Sequence, residues 1–170
     1  ARLMPEKRIE LMIRIWALIA KDYPDWHVKV LGEGLLRESQ EKLVKELGVQ
    51  DSFFMPGAVD DVTEELESSD IMCLTSEHEG LCLVLIEAMQ KSVPAMAFEI
   101  SGIHDVIEDG YNGFLVPFGD VEAYAQRLRQ MMDSKDLRNK FRQNGKEFVK
   151  RFDKENVMRK WTDLFESISC

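Results

Sequence analysis

The fold is predicted by one stretch of the sequence, Ile71-Met72-Cys73-Leu74-Thr75-Ser76-Glu77-His78-Glu79-Gly80-Leu81-Cys82-Leu83-Val84-Leu85-Ile86-Glu87-Ala88-Met89. It begins with a short apolar run that ends in a polar loop, as is typical of a parallel strand. The residues from 83 to 91 then have the character of a helix. The stretch therefore predicts a buried strand that leads through a loop into a helix.

Glu79 and Glu87 lie on either side of the predicted start of this helix. On one continuous helix, eight positions would separate them by roughly 12 Å, whereas the paired carboxylates of a glycosidase lie roughly 5 to 9.5 Å apart. The spacing suits a ligand laid over the helix N-terminus, where unpaired N–H groups favour phosphate and carboxylates accept hydrogen bonds from sugar hydroxyls. It favours a sugar nucleotide, and two solvated surface acids are the alternative that spacing alone leaves open.

The other segments before residue 117 alternate between strand and helix. The predicted strands are 28–31, 53–55, 94–98 and 114–116, and the predicted helices are 7–21, 36–47 and 62–68, with a helical turn at 103–108. Strands that alternate with helices predict a parallel sheet that is covered on both faces. Ligands of such sheets bind at the carboxyl ends of the strands.

The remaining sequence predicts three helices, over 121–132, 135–149 and 156–167, with Asp120 and Ser134 as N-cap residues of the first two. The last helix carries an apolar stripe. Its members are Trp161, Leu164, Phe165 and Ile168. We expect this stripe to pack on the core of the domain.

The composition indicates one ordinary globular domain, because 45% of the 170 residues are hydrophobic and 31% are charged. The net charge of -9 argues against a nucleic-acid partner, since phosphate backbones are bound by clustered Lys and Arg. Cys73, Cys82 and Cys170 are too scattered for a zinc site and predict reduced thiols in a cytosol. No apolar stretch approaches the roughly 20 residues of a membrane helix, so we expect a soluble, cytoplasmic domain with no metal site.

The stretch around Glu79 and Glu87 resembles the E-x7-E motif of retaining GT-B glycosyltransferases, and it is most similar to the large family four group. The similarity continues, in the order of the family, through the segments 1–7, 30–34, 93–98 and 107–116. The resemblance implies an α/β fold with a Rossmann-like, doubly wound parallel sheet and C-terminal helices. Such a fold would be that of the C-terminal half of a GT-B glycosyltransferase.

The resemblance also implies a domain organisation. Residues 1–170 would form a single donor-binding domain whose first strand is truncated, and the N-terminal acceptor domain would be absent. The C-terminal helix, within 152–170, would then pack toward that missing domain, as the alternative to packing on the core of this one.

Site residues follow from the same resemblance. The family pattern places an Arg at a strand end and a Lys five positions later on the diphosphate, and these match Arg2 and Lys7. It assigns Glu79 to hydroxyls of the transferred sugar and Glu87 to the ribose, so Arg2, Lys7 and Glu79 are the candidate catalytic residues. The candidate donor-binding set also includes residues of the nucleobase loop and of the helix start, which are Val59, Gly80, Leu81, Cys82 and Leu83.

Two positions near these residues depart from the family pattern. Arg8 replaces the glycine that usually follows the lysine, and it would either add positive potential or point to water. Cys82 replaces a frequent glycine, and we expect no catalytic thiol there because no activating base is indicated.

The implied function is donor binding in a retaining hexosyltransferase. The donor would be a nucleoside diphosphate sugar, with a UDP-sugar first and GDP-mannose second. The acceptor would be a glycan or glycolipid in bacterial surface polysaccharide synthesis, bound through the missing N-terminal domain. No cofactor is implied because the nucleotide sugar is a substrate, and basic residues would replace a metal on the diphosphate. The isolated domain would be inactive, and the whole protein would be cytoplasmic, with peripheral contact at the inner face of the membrane.

Two alternatives stay open at this point. One is a nucleotide-sugar-binding module without transferase activity, which the departures at Arg8, at Cys82 and at Asp105, where the family often has Glu, permit. The other is a sugar-nucleotide epimerase of similar architecture, which the extended E-x7-E context disfavours.

Overall fold

The chain folds into parallel strands that alternate with helices, in a computed structural model that describes residues 2–168. The strands are β1 (Val28–Leu31), β2 (Phe53–Gly57), β3 (Met72–Leu74), β4 (Ala95–Glu99) and β5 (Gly113–Pro117). The helices are α1 (Ile9–Ala17), α2 (Arg37–Glu46), α3 (Thr63–Glu67), α4 (Leu83–Gln90), α5 (Val121–Asp133), α6 (Lys135–Val149) and α7 (Lys154–Ile168). Short 3₁₀ turns cover Pro5–Lys7, Ala20–Asp22 and Lys150–Phe152. All five predicted strands are confirmed.

The strands pair in parallel and form two sheets, ordered β1-β2 and β3-β4-β5. In the second sheet Leu74 lies opposite Ala97, and Glu99 lies opposite Pro117. Parallel pairing brings the carboxyl ends of neighbouring strands to one edge, which is where α/β proteins bind ligands. The predicted parallel α/β architecture is confirmed.

Both faces of the three-stranded sheet are covered. Met96 and Phe98 of β4 belong to an apolar cluster that includes buried residues of α1, α2 and α5. Ala95 and Ala97 belong to a second cluster, which includes buried residues of α4. Successive side chains of a strand point to opposite faces, so helices pack on each side of the sheet, as a doubly wound fold requires.

The helix predicted over 7–21 is shorter than expected. Pro5–Lys7 forms a 3₁₀ turn, Arg8 adopts the left-handed conformation with φ 49° and ψ 39°, and α1 begins only at Ile9. A left-handed residue cannot continue the hydrogen-bond ladder of a right-handed helix. The prediction of one continuous helix was therefore wrong, and Lys7 lies in the turn that precedes α1.

The predicted N-caps of α5 and α6 are confirmed. Asp120 Oδ1 accepts a hydrogen bond from the N–H of Ala123 at 2.9 Å. Ser134 Oγ accepts one from the N–H of Leu137 at 3.1 Å. Each cap satisfies an N–H group that has no partner within its own helix.

The last helix, α7, does not pack on the core. None of its residues is buried, and Trp161 and Phe165 are 51% and 59% exposed. The two rings stack on each other, with centroids 5.7 Å apart. The expectation that the apolar stripe packs on this domain was wrong, because the preceding helices already cover both faces of the sheet. Packing toward another domain stays a prediction.

Candidate functional site

The predicted strand-to-helix junction follows the carboxyl end of β3. Thr75 and Ser76, directly after the strand, are only 4% and 2% exposed. The chain then reaches the surface, and α4 begins at Leu83 with Cys82 as its N-cap residue. The N–H of Leu85 donates to the Cys82 carbonyl at 3.1 Å, so the N–H groups that precede it at the helix start lie outside the helical ladder.

Residues 6–8 contact residues 75–79, and we call this contact the 6–8/75–79 seam. The N–H of Glu77 donates to the Glu6 carbonyl at 2.9 Å, and Thr75 Oγ1 donates to the Lys7 carbonyl at 3.1 Å. Lys7 Nζ donates to Glu79 Oε1 at 2.8 Å. The last two residues are 72 positions apart in the sequence. The structure thus brings together the predicted diphosphate cation and the predicted sugar carboxylate.

The Lys7–Glu79 pair retains the capacity to bind further groups. The two side chains are 21% and 15% exposed, so both are half-buried and still reach solvent. An ammonium group has three N–H donors and a carboxylate has two acceptor oxygens. One shared hydrogen bond therefore leaves Lys7 able to bind an anion and Glu79 able to accept a hydroxyl. A partly desolvated pair also interacts more strongly than one in bulk water.

The contacts of Arg8 contradict one of the two alternatives expected for it, that it points to water, and added positive potential stays a prediction. Its Nε lies 2.8 Å from Glu10 Oε1, and its Nη1 donates to Glu77 Oε2 at 3.3 Å. The side chain therefore does not simply point to water, and its charge lies between two carboxylates. Sequence reasoning missed this arrangement, although the acids at positions 10 and 77 were visible.

The other two charged candidates form no ion pair or hydrogen bond with Lys7 or Glu79 among the described residues. Arg2 and Glu87 are exposed, and within residues 2–168 neither forms a hydrogen bond or ion pair through its side chain. Leu3, next to Arg2, donates its N–H to the Glu33 carbonyl at 2.8 Å, so this segment lies beside the loop after β1. Glu87 lies within α4. Their roles on a diphosphate and a ribose stay predictions.

The candidates at the start of α4 differ in exposure. Leu81 and Leu83 are 49% and 61% exposed, and Gly80 is exposed as well. Cys82 is 2% exposed, and burial, followed by the negative charge of Glu79, raises the pKa of its thiol to about 11. A nucleophilic thiol needs a lowered pKa. Cys82 is thus poorly suited to covalent catalysis.

Gly102 is a site neighbour that the sequence did not reveal. Its φ is +83°, and a Cβ placed on it would lie 2.3 Å from the Gly80 carbonyl oxygen and 2.9 Å from that of Glu79. The loop after β4 therefore packs, backbone against backbone, on the loop that carries Glu79. A Ser-Gly pair after a strand signals only a turn, and that signal does not show which loop the turn contacts.

The loop after β1 is held against the carboxyl-terminal half of β2. The N–H of Gly32 donates to the Gly57 carbonyl at 2.7 Å. Arg37 forms a 2.6 Å ion pair with Glu33, and it also donates to the Met55 carbonyl. Arg37 stands where a dinucleotide fingerprint has its third glycine, and these contacts show that it links the loop after β1 to strand β2. Val59, two residues after Gly57, is 37% exposed, and its contact with a nucleobase stays a prediction.

A cavity of about 430 Å³ opens near the end of β4. Its lining includes Glu99, His104 and Arg151, and His104 Nε2 lies 3.3 Å from Glu99 Oε1. None of the predicted donor-binding residues lines it. In residues 2–168, no group of His, Cys, Asp and Glu side chains is arranged to hold a metal ion, and no helix is long and apolar enough to cross a membrane.

Comparison with known proteins identifies the family. A family model described as Glycosyl transferases group 1 matches residues 1–148. The chain belongs to this family. It is 32% identical over 159 residues to an uncharacterized glycosyltransferase of Haemophilus influenzae, across 93% of the chain and 45% of that protein. It is 29% identical over 169 residues to the poly(ribitol-phosphate) alpha-N-acetylglucosaminyltransferase of Staphylococcus aureus, across 98% of the chain and 34% of that protein.

A solved structure has the same fold. The crystal structure of a mutant of S. aureus TarM in complex with Fondaparinux, alpha-GlcNAc-glycerol and UDP matches with a TM-score of 0.91 and 29% identity. The match covers 97% of this chain and 34% of that one. The chain therefore has the Rossmann-like fold of the C-terminal domain of GT-B glycosyltransferases. It spans less than half the length of each of these three proteins.

Proposed function

We propose that this domain binds the nucleoside diphosphate sugar of a retaining, family four hexosyltransferase. The observation that carries the proposal is the 2.8 Å contact between Lys7 and Glu79, which joins a phosphate-binding cation to a sugar-binding carboxylate beside the start of α4. Helix N-termini favour phosphate through their free N–H groups. The three features together suit a ligand with a diphosphate between a sugar and a nucleoside.

In the proposed reaction, the bond that breaks and the bond that forms lie on the same face of the sugar. The bond between the anomeric carbon and the diphosphate oxygen breaks, the acceptor oxygen bonds to the same carbon, and the acceptor's proton passes to the departing diphosphate. Lys7 and Arg2 neutralise the charge that develops on the diphosphate without a metal ion, as preorganised cations do in other transferases. Glu79 accepts hydrogen bonds from the sugar hydroxyls and orients the ring, and Glu87 accepts them from the ribose.

UDP is the proposed nucleotide, with GDP second. Support comes from the TarM structure, which contains UDP and is 29% identical to this chain. The proposed acceptor is a glycan or glycolipid of a bacterial surface polysaccharide, and the S. aureus relative, named for transfer to poly(ribitol-phosphate), supports transfer to a polymer acceptor. The acceptor would bind to a part of the whole protein outside this chain, at the cytoplasmic face of the membrane, so we expect residues 1–170 alone to transfer no sugar.

Isothermal titration tests the donor site. We expect UDP to bind the chain with a Kd of about 1 mM or tighter, and Glu87→Ala to weaken binding about tenfold, because a hydrogen bond to a charged group contributes about 1.5 kcal/mol or more. The matched control is Glu122→Ala, an exposed acid in the first turn of α5. Equal Kd values for wild type and Glu87→Ala would show that Glu87 is not part of the site. Absence of UDP binding to wild type would show that UDP is not the nucleotide.

The identity of the donor is tested by thermal shift. A ligand that binds only the folded state raises its melting temperature. UDP-, GDP-, ADP- and TDP-sugars are compared at one concentration, and the largest shift is expected for a UDP-sugar. A larger shift with GDP-mannose would show that GDP, and not UDP, is the nucleotide of the donor. The absence of any shift would contradict a nucleotide-sugar site.

A further inference from the structure

Arg8 holds a backbone conformation that an L-residue rarely adopts. Its φ of 49° and ψ of 39° lie in the left-handed region, where the β-carbon approaches the following carbonyl. Glycine would avoid this crowding. Such a conformation persists when the surroundings over-determine it, and it is common where backbone strain serves a site. The role of Arg8 is therefore expected to depend on the contacts of its side chain.

Those contacts fix Arg8 between two segments. Its guanidinium pairs with Glu10 in the first turn of α1 and with Glu77 in the loop after β3. All three side chains are between 32% and 38% exposed, so each pair is partly shielded from water. The Arg8–Glu77 contact spans 69 residues of sequence. It lies within the 6–8/75–79 seam, one residue away from Lys7.

We propose that Arg8 is a positioning residue for donor binding, which acts through Glu77. By holding Glu77 it keeps the 75–79 loop against residues 6–8, and this sets the distance between Lys7 and Glu79. It also neutralises Glu77, whose carboxylate lies two positions from Glu79 and would otherwise repel the diphosphate. The proposal rests on the proposed donor function and extends it to a residue that does not itself contact the ligand.

The first test is UDP affinity, measured by titration. Arg8→Gly tolerates the left-handed backbone and removes only the side chain, so it is expected to fold and to raise the Kd at least fivefold. Arg8→Lys, which keeps the charge, is expected to recover part of the loss. The control is Arg129→Ala, which removes a more exposed ion pair with Asp22 and a hydrogen bond to the Leu18 carbonyl, near the other end of α1. Arg129→Ala is expected to change the Kd less than twofold.

A double substitution isolates the role of Glu77. If Arg8 acts through Glu77, the Arg8→Gly/Glu77→Gln variant should bind UDP no more weakly than Arg8→Gly alone, because the uncompensated carboxylate has been removed. If the two substitutions each weaken UDP binding and their effects on Kd multiply in the double variant, the proposal is overturned. Wild-type affinity in Arg8→Gly would overturn it as well, since the position would then need only a glycine-like backbone.

A measurement without ligand separates this proposal from the donor function. The N–H of Glu77 donates to the Glu6 carbonyl across the seam, so its hydrogen exchange reports whether the seam is closed. Exchange is expected to be at least fivefold faster in Arg8→Gly than in wild type and unchanged in Arg129→Ala. If wild type fails to bind UDP, the UDP assignment is wrong and this comparison alone decides the role of Arg8. Unchanged exchange in Arg8→Gly would refute that role.

Discussion

Single residues determine how closely the loops of the candidate site approach one another. Gly102 lies where any side chain would meet the backbone of Glu79 and Gly80. Gly110 has a similar φ of +72°, yet a Cβ there would have no atom within 4 Å. The two glycines share the same conformational demand and differ only in the space around them, so they can separate backbone strain from close packing.

We predict that Gly102→Ala destabilises the protein more than Gly110→Ala does. Forcing alanine into the left-handed region costs roughly 1 to 2 kcal/mol, and this is the full effect expected at Gly110. At Gly102 the collision with the Gly80 carbonyl adds an overpacking cost, for a total of roughly 2 to 5 kcal/mol. Urea unfolding of the two variants measures the difference. Equal losses would mean that the loop after β4 does not press on the Glu79 loop.

Helix caps determine stability at the scale of elements. α5 packs on α1, and α1 begins two residues after Lys7. The Asp120 cap therefore supports the site only indirectly, by stabilising a helix that packs on α1. Because Asp120 is exposed and its cap hydrogen bond is local to the first turn of α5, its loss should change stability without changing ligand binding.

We predict that Asp120→Ala lowers the free energy of unfolding by about 1 kcal/mol, because the N–H of Ala123 loses its acceptor. Asp120→Asn keeps a side-chain oxygen and should lose much less. Thermal and urea unfolding measure both variants, with UDP titration as the check that the site is intact. A loss in Asp120→Asn as large as that in Asp120→Ala would show that the cap oxygen is not responsible.

For the whole molecule, α7 is the element that the core does not need. Its exposed Trp161 and Phe165 contrast with Phe141 of α6, which is completely buried. Burial of apolar surface is the main favourable term in folding. A helix without buried residues therefore adds little to the stability of this domain, even though its apolar stripe is well formed.

We predict that removal of residues 154–170 changes the free energy of unfolding by less than about 1 kcal/mol, since no described residue of α7 is buried. Phe141→Ala in the complete chain is the contrasting variant, with an expected loss of roughly 3 to 5 kcal/mol. Urea unfolding with one cooperative transition is the measurement. Loss of cooperativity on removal of α7 would show that the helix does contribute to the core.

Much of the fold could be predicted because its signals are local. The apolar run at 71–75 and the alternation of strands with helices follow from how side chains partition between water and a core. The caps at Asp120 and Ser134 are also local, since each side chain reaches only three residues ahead. The break at Arg8 was missed because its signal is a backbone angle, and arginine favours helices in general.

The sequence by itself determined the parallel α/β architecture and the residue types at the candidate site, because periodicity and composition are properties of neighbouring residues. Only the tertiary structure decided that Lys7 contacts Glu79, that Arg8 lies between Glu10 and Glu77, and that α7 is left without a core to cover. Those outcomes depend on which distant segments meet at the carboxyl edge of the sheets. Packing of the whole chain decides which segments meet there, and a local sequence pattern contains no information about it.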